Sequence, residues 1–225
     1  MPLRRRRPFA QGGIMEVTAK ASIAGYVNRE PGADYVRVRE IKQGTAWVGE
    51  HRTQSSRQLA IVQMIAGGAL TDFRFLAKIS HPNIARLIAL YHRDDVFHVV
   101  YEYVDLDLFD ICTLSEPEIS EIMSQLLSGF CRLLELSTRF RIDSVRVTSS
   151  GVAKIVLDWN YEPLVDSVVQ DALCTDAVSS LLYGIMQRLG SDRKVWTPDA
   201  FAFLELLDQG LLPPTTVRIY FPVTL

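Results

Sequence analysis

The sequence predicts an α+β fold in two lobes, a small β-rich lobe with one helix followed by a mainly helical lobe. Three observations lead there. Between Tyr35 and Tyr103 lie five short runs rich in β-branched and aromatic residues, interrupted once by residues at helical spacing. From Ser115 onward the apolar residues recur mostly every three or four positions. The chain has 225 residues, 48% hydrophobic and 22% charged, a make-up that can bury a real core.

Residues 1–13, with Arg4 to Arg7 followed by Pro8 and a Gly12-Gly13 pair, read as a flexible basic arm. The arginine run suits a nuclear import signal or a contact to an acidic partner, and equally a solvated tail. The first lobe is placed at 14–104 and the second at 105–225. Strands are expected over 35–41, 45–51, 58–64, 84–92 and 96–103, with Asp94-Asp95 as the turn between the last two. The helical interruption is marked by Leu70, Phe73, Leu76 and Ala77, and His81-Pro82 ends it.

In the second lobe, Ser115-Glu116-Pro117-Glu118 reads as a capping box opening a helix, whose apolar stripe is Ile119, Ile122, Met123, Leu126, Phe130, Leu133 and Leu134. A hairpin follows, with Val145 and Val147 before a Thr148-to-Gly151 turn and 152–157 after it. Val178, Leu181, Leu182, Ile185, Met186 and Leu189 define another helix, stopped by Gly190. Thr197-Pro198 starts a last helix through Phe201, Leu204 and Leu207 to Gly210. The tail 211–225 carries Pro213, Pro214 and Pro222 and a possible strand at 217–221.

Formal net charge is −2 and the pI is about 6.1, so the chain shows no global footprint for nucleic acid or an anionic membrane. Apolar runs fall short of the roughly 20 residues that a spanning helix needs, and the arginine run lacks the apolar stretch of a secretory signal. Cys112, Cys131 and Cys174 are odd in number and widely spaced, and His51, His81, His92 and His98 have no metal-ligand spacing. The expectation is a protein of the cytoplasm or nucleus without metal or cofactor.

The order of elements, with the phrases that occupy it, resembles the eukaryotic protein kinase fold over about residues 35–210. Ile41-Lys42-Gln43-Gly44 is similar to the glycine loop, and Leu59-Ala60-Ile61-Val62-Gln63-Met64 to the strand that carries the ATP-anchoring lysine. His81-Pro82-Asn83-Ile84 resembles the turn after helix αC, Val99-Val100-Tyr101-Glu102-Tyr103 the strand entering the hinge, and Asp176 the start of helix αF. In wording the first two phrases are nearest to PAK-type kinases of the STE group.

The resemblance implies a damaged active site. Val62 stands at the lysine position and cannot pair with phosphates or a helix carboxylate. Lys42 and Trp47 replace small residues of the glycine loop, leaving Gly44 in register. Trp47 is read either as an apolar plug folded into the cleft or as an exposed ring on the loop. Asp72 falls at the αC glutamate position. Tyr101 falls at the gatekeeper position, or is simply a core tyrosine. Arg141-Ile142-Asp143 fits poorly on the catalytic triplet, and Thr148 stands five residues on, where an Asn is needed. Asp158-Trp159-Asn160 resembles the metal-binding triplet with one extra residue before it; Asp158 is a residual Mg²⁺ ligand or an ordinary turn aspartate. From Asp158 to Asp176 there are 176 − 158 = 18 positions, too few for an activation segment.

These departures imply a catalytically inactive kinase-like domain, a pseudokinase, with vestigial cleft positions at Gly44, Trp47, Ala60, Val62, Asp72, Tyr101, Glu102 and Asp158. Its expected task is to bind another protein or a second copy of itself, as scaffold or allosteric partner, with contacts around residues 161–169 and the tail. The alternative is a nucleotide-binding switch or atypical phosphotransferase that uses Asp158, and a third reading is an α+β binding module with an accidental likeness.

Overall fold

The computed structural model describes residues 23–53, 59–65, 79–111, 114–135, 142–159, 180, 183–185 and 197–209. The flexible arm, the helix with Asp72, Asn160 to Asp176, most of the 178–190 helix and the proline-rich tail lie outside them.

Alternating and β-branched residues build a six-stranded sheet from β1 (Ala24–Val27), β2 (Tyr35–Lys42), β3 (Ala46–His51), β4 (Leu59–Ile65), β5 (Leu87–Arg93) and β6 (Val96–Glu102). Its order is β1-β5-β6-β4-β3-β2. The β5–β6 turn is formed by Asp94 and Asp95 at φ 48° and 61°, positive at both central positions, which matches the right-handed twist of the flanking strands. Strand β1 was not foreseen from the sequence. It runs parallel to β5 at the sheet edge and is held there by Tyr26 stacked on Tyr91, ring centroids 4.6 Å apart.

The second lobe opens with the short strand β7 (Leu106–Asp107), which joins the hairpin of β8 (Ile142–Val147) and β9 (Ala153–Leu157) in a three-stranded sheet. Helix α1 spans Glu116–Glu135. Its capping box is half realised: Glu118 reaches back to accept from Ser115 N–H at 2.8 Å, while Ser115 Oγ donates to the same carboxylate at 2.6 Å. Those bonds hold the Glu118 carboxyl below its usual range.

Helix α2 spans Pro198–Asp208, opening at the Thr197-Pro198 start read from the sequence. Ala200 and Phe203 face the core, and Phe201 is 41% exposed, because the 3.6-residue period anchored at Phe203 places Phe201 off the buried stripe. A helical stretch at 183–185 buries Ile185 completely.

One apolar core runs through both lobes. Ile61, Ile65, Leu87 and Tyr101 from the first lobe pack in the same cluster as Met123, Leu126, Phe130, Val145, Ile155 and Phe203. The junction is hydrogen-bonded as well as packed: Ile155 N–H donates to Asn83 O and Ala85 N–H to Ile155 O, both at 2.9 Å. Asn83, 7% exposed, donates from Nδ2 to Ala153 O at 3.0 Å and Gln125 Oε1 at 3.2 Å. A strand-rich first lobe over a more helical second lobe is the arrangement expected of a protein-kinase-like fold.

Candidate functional site

Of the residues singled out in the sequence, Tyr101 and Asp158 lie near one another where the six-stranded sheet approaches the β8–β9 hairpin, Asp72 lies outside the described residues, and Ala60 and Val62 stand on β4. Its side chains alternate between two surfaces. Ala60 and Val62 pack with Tyr35, Ala89, Tyr91 and Val100 in a separate outer cluster, whereas Ile61 and Ile65 belong to the main core with Val99 and Tyr101. Gln63, paired with Val99, therefore shares the inner face. It is 5% exposed, and Tyr101 Oη donates to its Oε1 at 3.3 Å.

Val62 and Gln63 therefore lie on opposite faces of β4. Val62 packs in the separate cluster, because neighbouring strand residues point to opposite sides, and Gln63 lies on the face shared with Tyr101. The side chain there is a neutral amide.

Trp47 is corrected in the same way. It is the cross-strand partner of Val62 and lies on the outer surface, not in the cleft. Its ring covers Gly49, where an added Cβ would stand 2.7 Å from Trp47 Cζ3 and 3.1 Å from Tyr35 Cβ. The Arg37 guanidinium sits 5.7 Å from the Trp47 ring centroid, so the ring is sandwiched and half-buried, neither plug nor loose loop residue.

At the β2–β3 hairpin tip Gly44 adopts φ 72°, which favours glycine, and its N–H donates to Glu40 Oε1 at 2.7 Å. Lys42, two residues before it, crosses from the first lobe to the second, its Nζ 2.9 Å from Asp143 Oδ1. Asp143 stands on strand β8, at the irregularity between Ile142 and Ser144 in its pairing with β9. Sequence reasoning missed this pair, since 101 positions separate its members.

Tyr101 is a core residue, 5% exposed, on the face of the sheet shared with Gln63. Burial, then the Asp143 and Asp158 carboxylates, push its phenol well above the ordinary tyrosine range, with Arg146 partly opposing them. Its ring packs 5.9 Å from that of Trp159, which is 6% exposed. Among the described residues, Trp159 Nε1 is buried without a hydrogen-bond partner. Asp158 follows β9 directly.

The connection between the lobes is clamped from below. Arg146 donates from Nε to Val104 O at 2.8 Å and from Nη2 to Asp105 O at 3.2 Å. Glu102 pairs with Lys154 at 3.0 Å, both largely shielded, and also accepts from Arg86 N–H at 3.1 Å. Ala60 is buried in the outer cluster. Among the described residues no group of three or more His, Cys, Asp or Glu side chains is arranged to hold a metal, and no helix is long and apolar enough to cross a membrane.

Similarity to known proteins agrees with this geometry. The chain is 26% identical over 172 residues to the serine/threonine-protein kinase SSN3 of Chaetomium globosum, 67% of this chain and 33% of that protein. It is 27% identical over 153 residues to human cyclin-dependent kinase-like 4, covering 62% and 39%, and 31% identical over 93 residues to a probable cell division protein kinase of Encephalitozoon cuniculi, covering 40% and 35%. The chain is a kinase-like domain related to known protein kinases.

These relatives correct the subgroup. The kinase-like domain is related to SSN3-type and cyclin-dependent-kinase-like enzymes of the CMGC group, not to PAK-type kinases of the STE group. The phrases that suggested PAK lie on β2 and β4, where alternation and a glycine turn constrain the wording of many sequences alike. No family model matches the kinase-like domain, and its matches span between a third and two fifths of these relatives' length.

Proposed function

We propose that this kinase-like domain is catalytically inactive and works by binding another protein or a second copy of itself, as scaffold or allosteric partner. The observation that carries the reading is Gln63, a buried neutral amide on the inner face of β4 where phosphate binding calls for a cation. Phosphoryl transfer rests on positioning and charge stabilisation, and removing a single such element typically costs 10²-fold or more. Glu40 on the Gly44 amide and Asp143 on strand β8 extend the same argument to the glycine turn and the catalytic loop. An intracellular, reducing setting fits the scattered cysteines.

Thermal unfolding with and without Mg²⁺-ATP is the test. A nucleotide present at 100 times its dissociation constant adds about 2.7 kcal/mol of stability, so an unchanged midpoint supports the reading and a clear rise refutes it. A second reading, a nucleotide-binding switch using Asp158, is favoured by one observation: Lys42 brings an ammonium group to the junction of the lobes. The same titration decides between the two.

A further inference from the structure

Helices α1 and α2 are tied together at their starts by one carboxylate. Glu116, the first residue of α1, accepts from Thr197 N–H at 2.8 Å through Oε2 and from the Thr197 hydroxyl at 2.6 Å through Oε1, across 81 positions of sequence. Thr197 also caps α2, its Oγ1 accepting from Ala200 N–H at 3.4 Å. The tie to Glu116 depends on the hydroxyl proton. Thr197 is exposed and precedes Pro198, and of the ten prolines in the chain Pro198 is the only one that follows a serine or threonine. One position therefore meets the sequence requirement of a proline-directed serine/threonine kinase.

We propose that Thr197 is a phosphorylation site for such an enzyme and that the modification releases the start of α2 from α1. A nucleoside triphosphate gives up its terminal phosphoryl group: the bond to the leaving nucleoside diphosphate breaks, the Oγ1–P bond forms, and the hydroxyl proton passes to solvent. Oγ1 is then an ester oxygen with no proton to donate, and a group carrying about 1.5 to 2 negative charges stands beside the Glu116 carboxylate. The start of α2 offers that group little in return. Pro198 has no N–H, Phe201 N–H is bonded to Thr197 O at 3.3 Å, and Asp199 adds another carboxylate to the first turn. The loosened segment is the one that carries Ala200 and Phe203 into the core. Because another enzyme supplies the phosphate, the inference stands whether or not the cleft binds nucleotide.

The test treats the full chain with a proline-directed serine/threonine kinase and Mg²⁺-ATP, removes the nucleotide, locates phosphate by peptide mass spectrometry and compares melting with the untreated protein. Phosphate is expected on Thr197 and not in Pro198→Ala, with a fall in Tm of about 2–4 °C and faster hydrogen exchange over 198–208. In Glu116→Gln, where the facing group is neutral, the same phosphate should lower Tm by clearly less. No phosphate on Thr197, equal incorporation in Pro198→Ala, an unchanged or raised Tm, or an equal fall in Glu116→Gln overturns the proposal. If Glu116→Gln does not fold, exchange in the wild-type chain decides, and protection over 198–208 unaltered by phosphorylation overturns it.

Discussion

Gly129→Ala tests whether the lobes are locked together through helix α1. Gly129 lies inside that helix, and a Cβ there would stand 2.9 Å from Ile155 Cδ1, 3.1 Å from Asn83 O and 3.4 Å from Asn83 Cβ. The isoleucine tip can rotate away, but the Asn83 carbonyl cannot, because Ile155 N–H is bonded to it at 2.9 Å and Asn83 Nδ2 is bonded to Ala153 O at 3.0 Å. Overpacking of this kind costs about 1–3 kcal/mol, whereas alanine in a helix interior returns up to about 1 kcal/mol over glycine. The net expectation is a loss of about 1–2 kcal/mol, a fall in Tm of roughly 2–8 °C for a domain of this size. Scanning calorimetry reads it, with Gly184→Ala as control, since a Cβ there meets nothing within 4 Å among the described residues and should not lower Tm. An unchanged or raised Tm for Gly129→Ala would refute the close approach of α1 to Asn83 and β9.

Three further outcomes follow from the same geometry. Gly49→Ala should displace the Trp47 ring, shift its fluorescence and cost about 1–3 kcal/mol in denaturant unfolding; unaltered emission would mean that the ring does not cover Gly49. Asn83→Ala removes the donor to Ala153 O and Gln125 Oε1 and should lower stability by about 1–3 kcal/mol, and a neutral result would sink the junction network. Burial lowers the His98 pKa, against a smaller opposing pull from Glu30. Below pH ~6.5 the unfolded chain then takes up a proton that folded His98 resists, so stability falls as pH drops towards the lowered value and levels off beneath it; His98→Gln should flatten that part of the profile.

How much was legible depends on whether a signal is local. The five strands from Tyr35 to Glu102, the hairpin turn at Asp94-Asp95 and the start of α1 after Ser115 are written in alternation, turn chemistry and capping, and the structure realises each within three residues. Strand β1 has four residues and no pattern of its own; it exists because Tyr26 finds Tyr91. The Lys42–Asp143 pair and the Arg146 clamp on Val104 and Asp105 join residues about 100 and 40 positions apart, beyond any spacing rule.

The consequences of a one-residue error differ sharply between fold and site. On β4 both faces are covered by apolar clusters, so reading either Val62 or Gln63 as the lysine-equivalent position leaves the strand, its pairing and the sheet order as they are. The chemical expectation of an uncharged side chain also survives, but only because the neighbour is neutral too. Trp47 had no such protection: the sequence left it either as a plug in the cleft or as an exposed ring on the loop, while its pairing with Val62 turns it outward over Gly49. Period-two alternation makes strand identity tolerant of register and site assignment intolerant of it. Gln63→Lys exploits that difference. A lysine there would enter the face shared with Tyr101 and Asp143, and Val62→Lys would enter the cluster of Tyr35 and Tyr91. If the faces are assigned correctly, Val62→Lys buries an unpaired charge and destabilises by several kcal/mol, whereas Gln63→Lys has carboxylates close enough to offset part of that cost. Equal losses in the two variants would place both positions on one side of the sheet and remove the argument built on Gln63.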